Sequence, residues 1–157
     1  MELGLALALL GATLATFLSG MGSAKGVGIV GQAAAGVTAE DPSKFGQTLL
    51  LQALPATQGI YGLLIAFLVL LKVGIVGGDA QVELTLYNGI YIFLSCLPIA
   101  VVGYFSALHQ GRAAAAGIGI VAKRPTEVSK AMIYAAMVET YAVLALLVSF
   151  LMLNGIQ

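Results

Sequence analysis

Glu139 is a carboxylate in an unfavourable place. It lies 14 residues beyond Pro125, and the 18 residues after it, Thr140 to Gln157, carry no charge. At 1.5 Å per residue it is roughly 21 Å into an apolar helix. An ionisable group at that depth costs at least a few kcal/mol and by default marks a functional site, the bland alternative being a protonated carboxyl that bonds between helices. Gln58 is 14 residues from Lys44 and Gln110 is 13 from Lys123, so three polar groups share one layer if the helices run parallel. Leu54, Thr57 and Gln58 fall at i, i+3 and i+4 on one helix face. Pro55 leaves the Leu51 carbonyl without its helical partner, and the expected kink aims other carbonyls of that turn sideways. Tyr61, three residues after Gln58, is spaced to donate its hydroxyl to Glu139.

Two amide oxygens, a hydroxyl, a carboxylate and a loosened carbonyl make a hard, oxygen-only cage with one negative charge. On such terms a small monovalent cation exchanges its hydration shell for protein oxygens. A proton site needs only the carboxyl and one group to tune it. The surplus oxygens therefore favour Na+, with H+ as the alternative. Soft metals are disfavoured, because Cys96 and His109 are each the single residue of their type. Cys96 reads as a small core residue and His109 as a satisfied or cytoplasm-facing imidazole. Tyr134 and Tyr141 read as interfacial or packing residues. Gly22-Ser-Ala-Lys-Gly26 does not follow the order of a phosphate-binding loop and lacks a preceding strand. No nucleotide site and no catalytic residue is expected in this chain.

Helices in lipid must hold these groups. Of 157 residues, 60% are hydrophobic and only 9% charged, against about 25% in soluble domains, which excludes a soluble fold. Seven basic and seven acidic residues cancel, so there is no basic surface for nucleic acid. One cysteine excludes an internal disulfide. The charges divide the chain into four expected transmembrane helices, about 3–38, 45–72, 84–122 and 127–154. Thr38-Ala-Glu-Asp-Pro42, Gly74 with Gly77-Gly78-Asp79, and Lys123-Arg124-Pro125 supply the turns between them. The expected fold is an all-α membrane protein, one membrane domain over 1–157. The N-terminal apolar stretch is not expected to be a cleaved leader, since it opens with Glu2 and no cation and continues through Gly26 to Val37.

Small residues at three-to-four spacing separate the helices into two kinds. Ser19, Gly22, Ser23 and Gly26 in the first, with Gly103, Ser106, Ala107, Gln110, Ala114 and Gly117 in the third, predict a tight inner pair. The second and fourth helices, rich in Leu, Ile, Phe, Val and Tyr, are expected around them, facing lipid or another subunit. Pro98 predicts a kink in the third. Lys25, Lys44, Arg112, Lys123, Arg124 and Lys130 lie towards the loops joining spans 1 to 2 and 3 to 4, and only Lys72 lies at the other end. By the positive-inside tendency those loops are cytoplasmic and both termini external, in a multi-pass protein of the cell membrane. Lys25 and Arg112 are expected to snorkel, or to sit where long helices pass the lipid.

The halves, about 3–74 and 84–154, resemble each other. Registering Ser19 on Ser106 puts Lys25 beside Arg112 and Ser23 beside Gln110, and beyond the loop Gln58 falls on Glu139. A helical hairpin has been duplicated, and only the second copy keeps the acid.

Four motifs extend this reading: Ser19-Gly-Met-Gly-Ser-Ala-Lys-Gly26, Leu54-Pro-Ala-Thr-Gln-Gly-Ile-Tyr-Gly62, His109-Gln-Gly-Arg112 and Met137-Val-Glu-Thr-Tyr141. With them the whole chain resembles the membrane rotor proteolipids of rotary V-type ATPases, and most the bacterial sodium-dependent kind. The resemblance implies a ring of identical subunits turning in lipid against a stator protein with a cationic arginine, driven through cytoplasmic central-stalk subunits. It implies Na+ ligation by the Leu54 carbonyl, Thr57, Gln58, Gln110 and Glu139, with Tyr61 bonded to the carboxylate. Ala56 stands where relatives carry glycine, a small-for-small change. A small independent channel or transporter, or a structural scaffold, are the readings from other classes.

Overall fold

The computed structural model describes residues 3–77 and 84–155. Helix α1 runs over Leu3–Glu40, and a 3₁₀ turn at Pro42–Lys44 leads into α2, Phe45–Ala53. A second 3₁₀ turn, Leu54–Ala56, separates α2 from α3, Thr57–Lys72. Then come α4, Leu86–Lys123, a 3₁₀ turn at Pro125–Glu127, and α5, Val128–Asn154. These make four spans long and apolar enough to cross a membrane, and the described residues contain no strand.

Each end follows from local chemistry. Asp41 caps the first turn, with its side chain accepting from the Ser43 amide and Pro42 at the first helical position. Thr85 caps α4 by accepting from the Asn88 amide at 3.2 Å. Gly74, at φ 74°, takes the left-handed conformation that ends α3, and Ile75 N–H reaches back to the Leu70 carbonyl at 3.1 Å. Gly78 and Asp79, expected in the same loop, lie outside the described residues. At the opposite end Lys44 Nζ donates to the Ala122 carbonyl at 2.9 Å, placing a cation on the carbonyl end of α4.

The expected inner pair is present. A Cβ added to Gly22 would lie 2.6 Å from the Tyr104 carbonyl oxygen, and one on Gly26 2.5 Å from that of Ala107. A Cβ on Gly111 would come within 2.6 Å of the Gly26 Cα. The backbones of α1 and α4 therefore touch at these levels, as only glycine permits. On the outside Ile60, Leu63, Leu64 and Phe67 of α3, and Ile133, Met137, Leu144 and Leu147 of α5, are exposed.

The two membrane prolines act differently. At Pro55 the α-helical bonding gives way to one 3₁₀ turn with the backbone still right-handed helical, and it resumes at Thr57. At Pro98 α4 runs on, and the residue after the proline is held from both sides. Ile99 N–H donates to Ser149 Oγ of α5 at 3.2 Å, and the Ile99 carbonyl accepts from Ser19 Oγ of α1 at 3.0 Å. Lys25 is exposed, and its Nζ donates to the Tyr104 hydroxyl at 3.1 Å and stands 5.3 Å from that ring's centre. Arg112 and His109 are also exposed.

Packing and capping can each be tested by substitution. Gly111→Ala forces backbones apart at a cost of roughly 1–3 kcal/mol, read as a lower thermal unfolding midpoint in detergent. Gly28→Ala, with nothing within 4 Å of its added Cβ, leaves that midpoint in place; equal shifts in both variants contradict the close approach. In the loop, the Ser43 hydroxyl and amide bond Asp41 Oδ1 at 2.6 and 3.1 Å and hold its carboxyl below the usual range. Their contribution is present above the ordinary carboxyl pKa and is lost as pH falls through the depressed one. Ser43→Ala should raise the Asp41 titration midpoint, as followed by NMR.

Candidate ion-binding site

The break at Pro55 sets the first wall. Because α3 restarts at Thr57, the 3₁₀ turn before it carries the Leu54 carbonyl, which accepts both the Thr57 amide and the Thr57 hydroxyl, the latter at 3.0 Å. The same hydroxyl oxygen lies 3.3 Å from Gln58 Oε1. Three oxygens thus stand together around a single hydroxyl hydrogen, which can serve only one of its two acceptors.

The other wall is a chain of bonds across α3, α4 and α5. Gln58 and Gln110 are both fully buried, and Gln58 Nε2 donates to Gln110 Oε1 at 2.6 Å. Gln110 Nε2 in turn donates to Glu139 Oε2 at 3.1 Å. Tyr61 donates its hydroxyl to Glu139 Oε1 at 2.6 Å. The shared layer expected from residue counting is present: Leu54, Thr57, Gln58, Tyr61, Gln110 and Glu139 lie in one connected group. Charge-assisted bonds such as the two to Glu139 are stronger than neutral ones and fix its orientation.

Glu139 is half-buried, as are Leu54, Thr57 and Tyr61. On its outer side lies a shallow apolar hollow lined by Ala136, Thr140, Val143 and Leu144. The glutamines face inward, where their amides cannot reach water, so the group has a closed side and an open one.

Ser106, which the sequence marks only as a packing residue, belongs to the network. It is buried, its Oγ accepts a Gln58 amide hydrogen at 3.2 Å, and it donates to the Val138 carbonyl at 3.1 Å. The signal for this is its position four residues before Gln110, on the same face of α4. Tyr134 and Tyr141 are exposed and take no part.

Comparison with known proteins decides the family. The model of the ATP synthase C-subunit family matches twice, over residues 10–69 and 93–152. The chain belongs to that family. It is 48% identical over 149 residues to the V-type sodium ATPase subunit K of Enterococcus hirae, covering 95% of this chain and 91% of that protein. It is 41% identical over 152 residues to the A-type ATP synthase subunit K of Methanocaldococcus jannaschii, covering 97% of this chain and 64% of that one. With four spans and this membership, the chain is a multi-pass membrane protein, and as a member of this family it is an ion-translocating proteolipid.

The Ser106 bonds make a prediction. Ser106→Ala leaves a Gln58 amide hydrogen unpaired in the interior, a cost of roughly 1–3 kcal/mol. A lower thermal midpoint, together with weaker ion protection of Glu139, is the expected result; an unchanged protein would remove Ser106 from the network.

Proposed function

We propose that this chain is the ion-carrying rotor subunit of a rotary ATPase, with Na+ as the ion carried. The observation that carries the reading is the surplus of oxygen over hydrogen around Thr57. Leu54 O, Thr57 Oγ1 and Gln58 Oε1 converge with one hydroxyl hydrogen among them and the Thr57 amide on Leu54 O, in the same bonded network as the Glu139 carboxylate. A proton on Glu139 would satisfy the carboxylate and leave that surplus unexplained, whereas a small hard cation uses it. In this reading Leu54 through its carbonyl, Thr57, Gln58, Gln110 and Glu139 hold Na+, and Tyr61 orients the carboxylate. The sodium in the name of the E. hirae relative supports the same choice.

Charge then accounts for motion. Loaded, the site is formally neutral and can cross a lipid-facing position; empty, it is an anion for which that passage is costly. The half-buried flank of Glu139 is where the ion would leave and enter, opposite a stator protein bearing a cationic arginine. Identical neighbours in a ring would cover the exposed apolar faces of α3 and α5, and central-stalk subunits would meet the cytoplasmic loops. A membrane potential adds about 2.3 kcal/mol per charge per 100 mV, so many ions per turn can balance ATP hydrolysis or synthesis. The chain acts as a single membrane unit over 1–157, its hairpins about 3–74 and 84–154, with the loops around Pro42 and Pro125 cytoplasmic and both termini external.

Labelling by an apolar carbodiimide at fixed pH tests this in the assembled complex. Na+, but not K+ at equal ionic strength, should slow modification of Glu139, and Glu139→Gln should abolish both labelling and ion-coupled turnover. Labelling that ignores Na+ but falls with rising pH would replace the cation with a proton. Conduction by an isolated monomer would instead favour a small independent channel.

A further inference from the structure

Helix α3 begins without a cap of its own. Its N-cap position is Ala56, and no side chain of that residue bonds the first turn. Gly59, third residue of the helix, carries one of the amides that a helix cannot satisfy internally. Its hydrogen goes instead to Ser23 Oγ of α1, at 2.8 Å. A serine oxygen accepting from the third amide is N-cap geometry, supplied here by a different helix. Ser23 is only 7% exposed, so water does not compete for this amide.

The surrounding fit is close. A Cβ on Gly59 would stand 3.2 Å from Ser23 Oγ, and one on Gly26 would stand 2.8 Å from Pro55 Cβ. Helix α1 therefore grips the Pro55 turn at two points about one helical turn apart. The internal repeat adds an independent observation, since Ser23 occupies the place that Gln110 holds in the second hairpin. Gln110 bonds Glu139 and Ser23 bonds the residue after Gln58. In each hairpin the inner helix holds the polar turn of its own outer helix from the same position.

The first two residues of α3 are Thr57 and Gln58. Free amides at a helix N-terminus carry partial positive charge, the wrong sign beside a cation. We propose that Ser23 is a positioning residue of the ion site: by capping Gly59 it holds Thr57 and Gln58 in register and offsets the positive end of α3. This rests on the ion reading given above.

The test compares wild type, Ser23→Ala and Ser19→Ala in the assembled complex. The readout is the Na+ concentration that half-protects Glu139 from carbodiimide. Ser23→Ala should raise it roughly fivefold, as loss of a cap implies, and the effect should fall on the half-saturating concentration more than on the rate at saturating Na+. Ser19→Ala removes another buried hydroxyl of the same helix, bonded to Ile99, and should leave the midpoint where it is. If Ser23→Ala does not assemble, Ser23→Cys, a somewhat larger side chain with a weaker acceptor, should shift the midpoint the same way. An unchanged midpoint in the variant that assembles, or an equal shift in Ser19→Ala, overturns the proposal. Wild type without Na+ protection overturns the ion reading itself, which the comparison therefore separates from the role of Ser23.

Discussion

A carboxylate within an apolar span has to be compensated by groups brought to it, and the architecture is organised around that need. Glu139 receives two hydrogen bonds, from Tyr61 on α3 and Gln110 on α4, and Gln110 is itself held by Gln58. None of these partners comes from α5, which carries the acid. The energy of desolvating the acid is thus shared across helix interfaces, and the network is as sound as the packing that keeps those helices in register.

That packing is the work of residues with almost no side chain. The glycine contacts between α1 and α4 bring two backbones together, so the inner pair has little freedom to slide. Helix α1 donates no side chain to the carboxylate. It nonetheless fixes the depth of α4 through Gly22 and Gly26, and through Gly26 and Ser23 it meets the turn at Pro55. At that turn Leu54 presents a carbonyl and Thr57 a hydroxyl at the same level.

Much of this is legible in the order of the residues alone. The charges mark the loops because lipid excludes them, so the four spans can be placed within a few residues. The layer of Gln58, Gln110 and Glu139 follows from helical rise. Two kinds of information are hidden. Ser23, near Gly22 and Gly26, and Ser106, near Gly103 and Ala107, share small-residue spacing, where serine reads as a packing residue, and only the facing helix reveals a bond. The outcome at Pro55 and Pro98 is also hidden: the same residue type goes with a 3₁₀ turn in one span and leaves the other helix running, with Ser149 taking the adjacent amide. The pairing of Lys25 with Tyr104 likewise needs the register of α1 on α4.

The shallow hollow beside Glu139 has an implication for affinity. Its inner partners are walled in by the chain itself, but the outer side of the cage is made of whatever adjoins Ala136, Thr140, Val143 and Leu144. Coulomb attraction scales inversely with the local dielectric. Hydrocarbon against that flank tightens the grip on a positive guest, and a wet or cationic surface loosens it, with no ligand having to move. On the proposed function, retention and discharge are therefore dictated by the neighbourhood through which the protein travels, and its own atoms need only stay where they are.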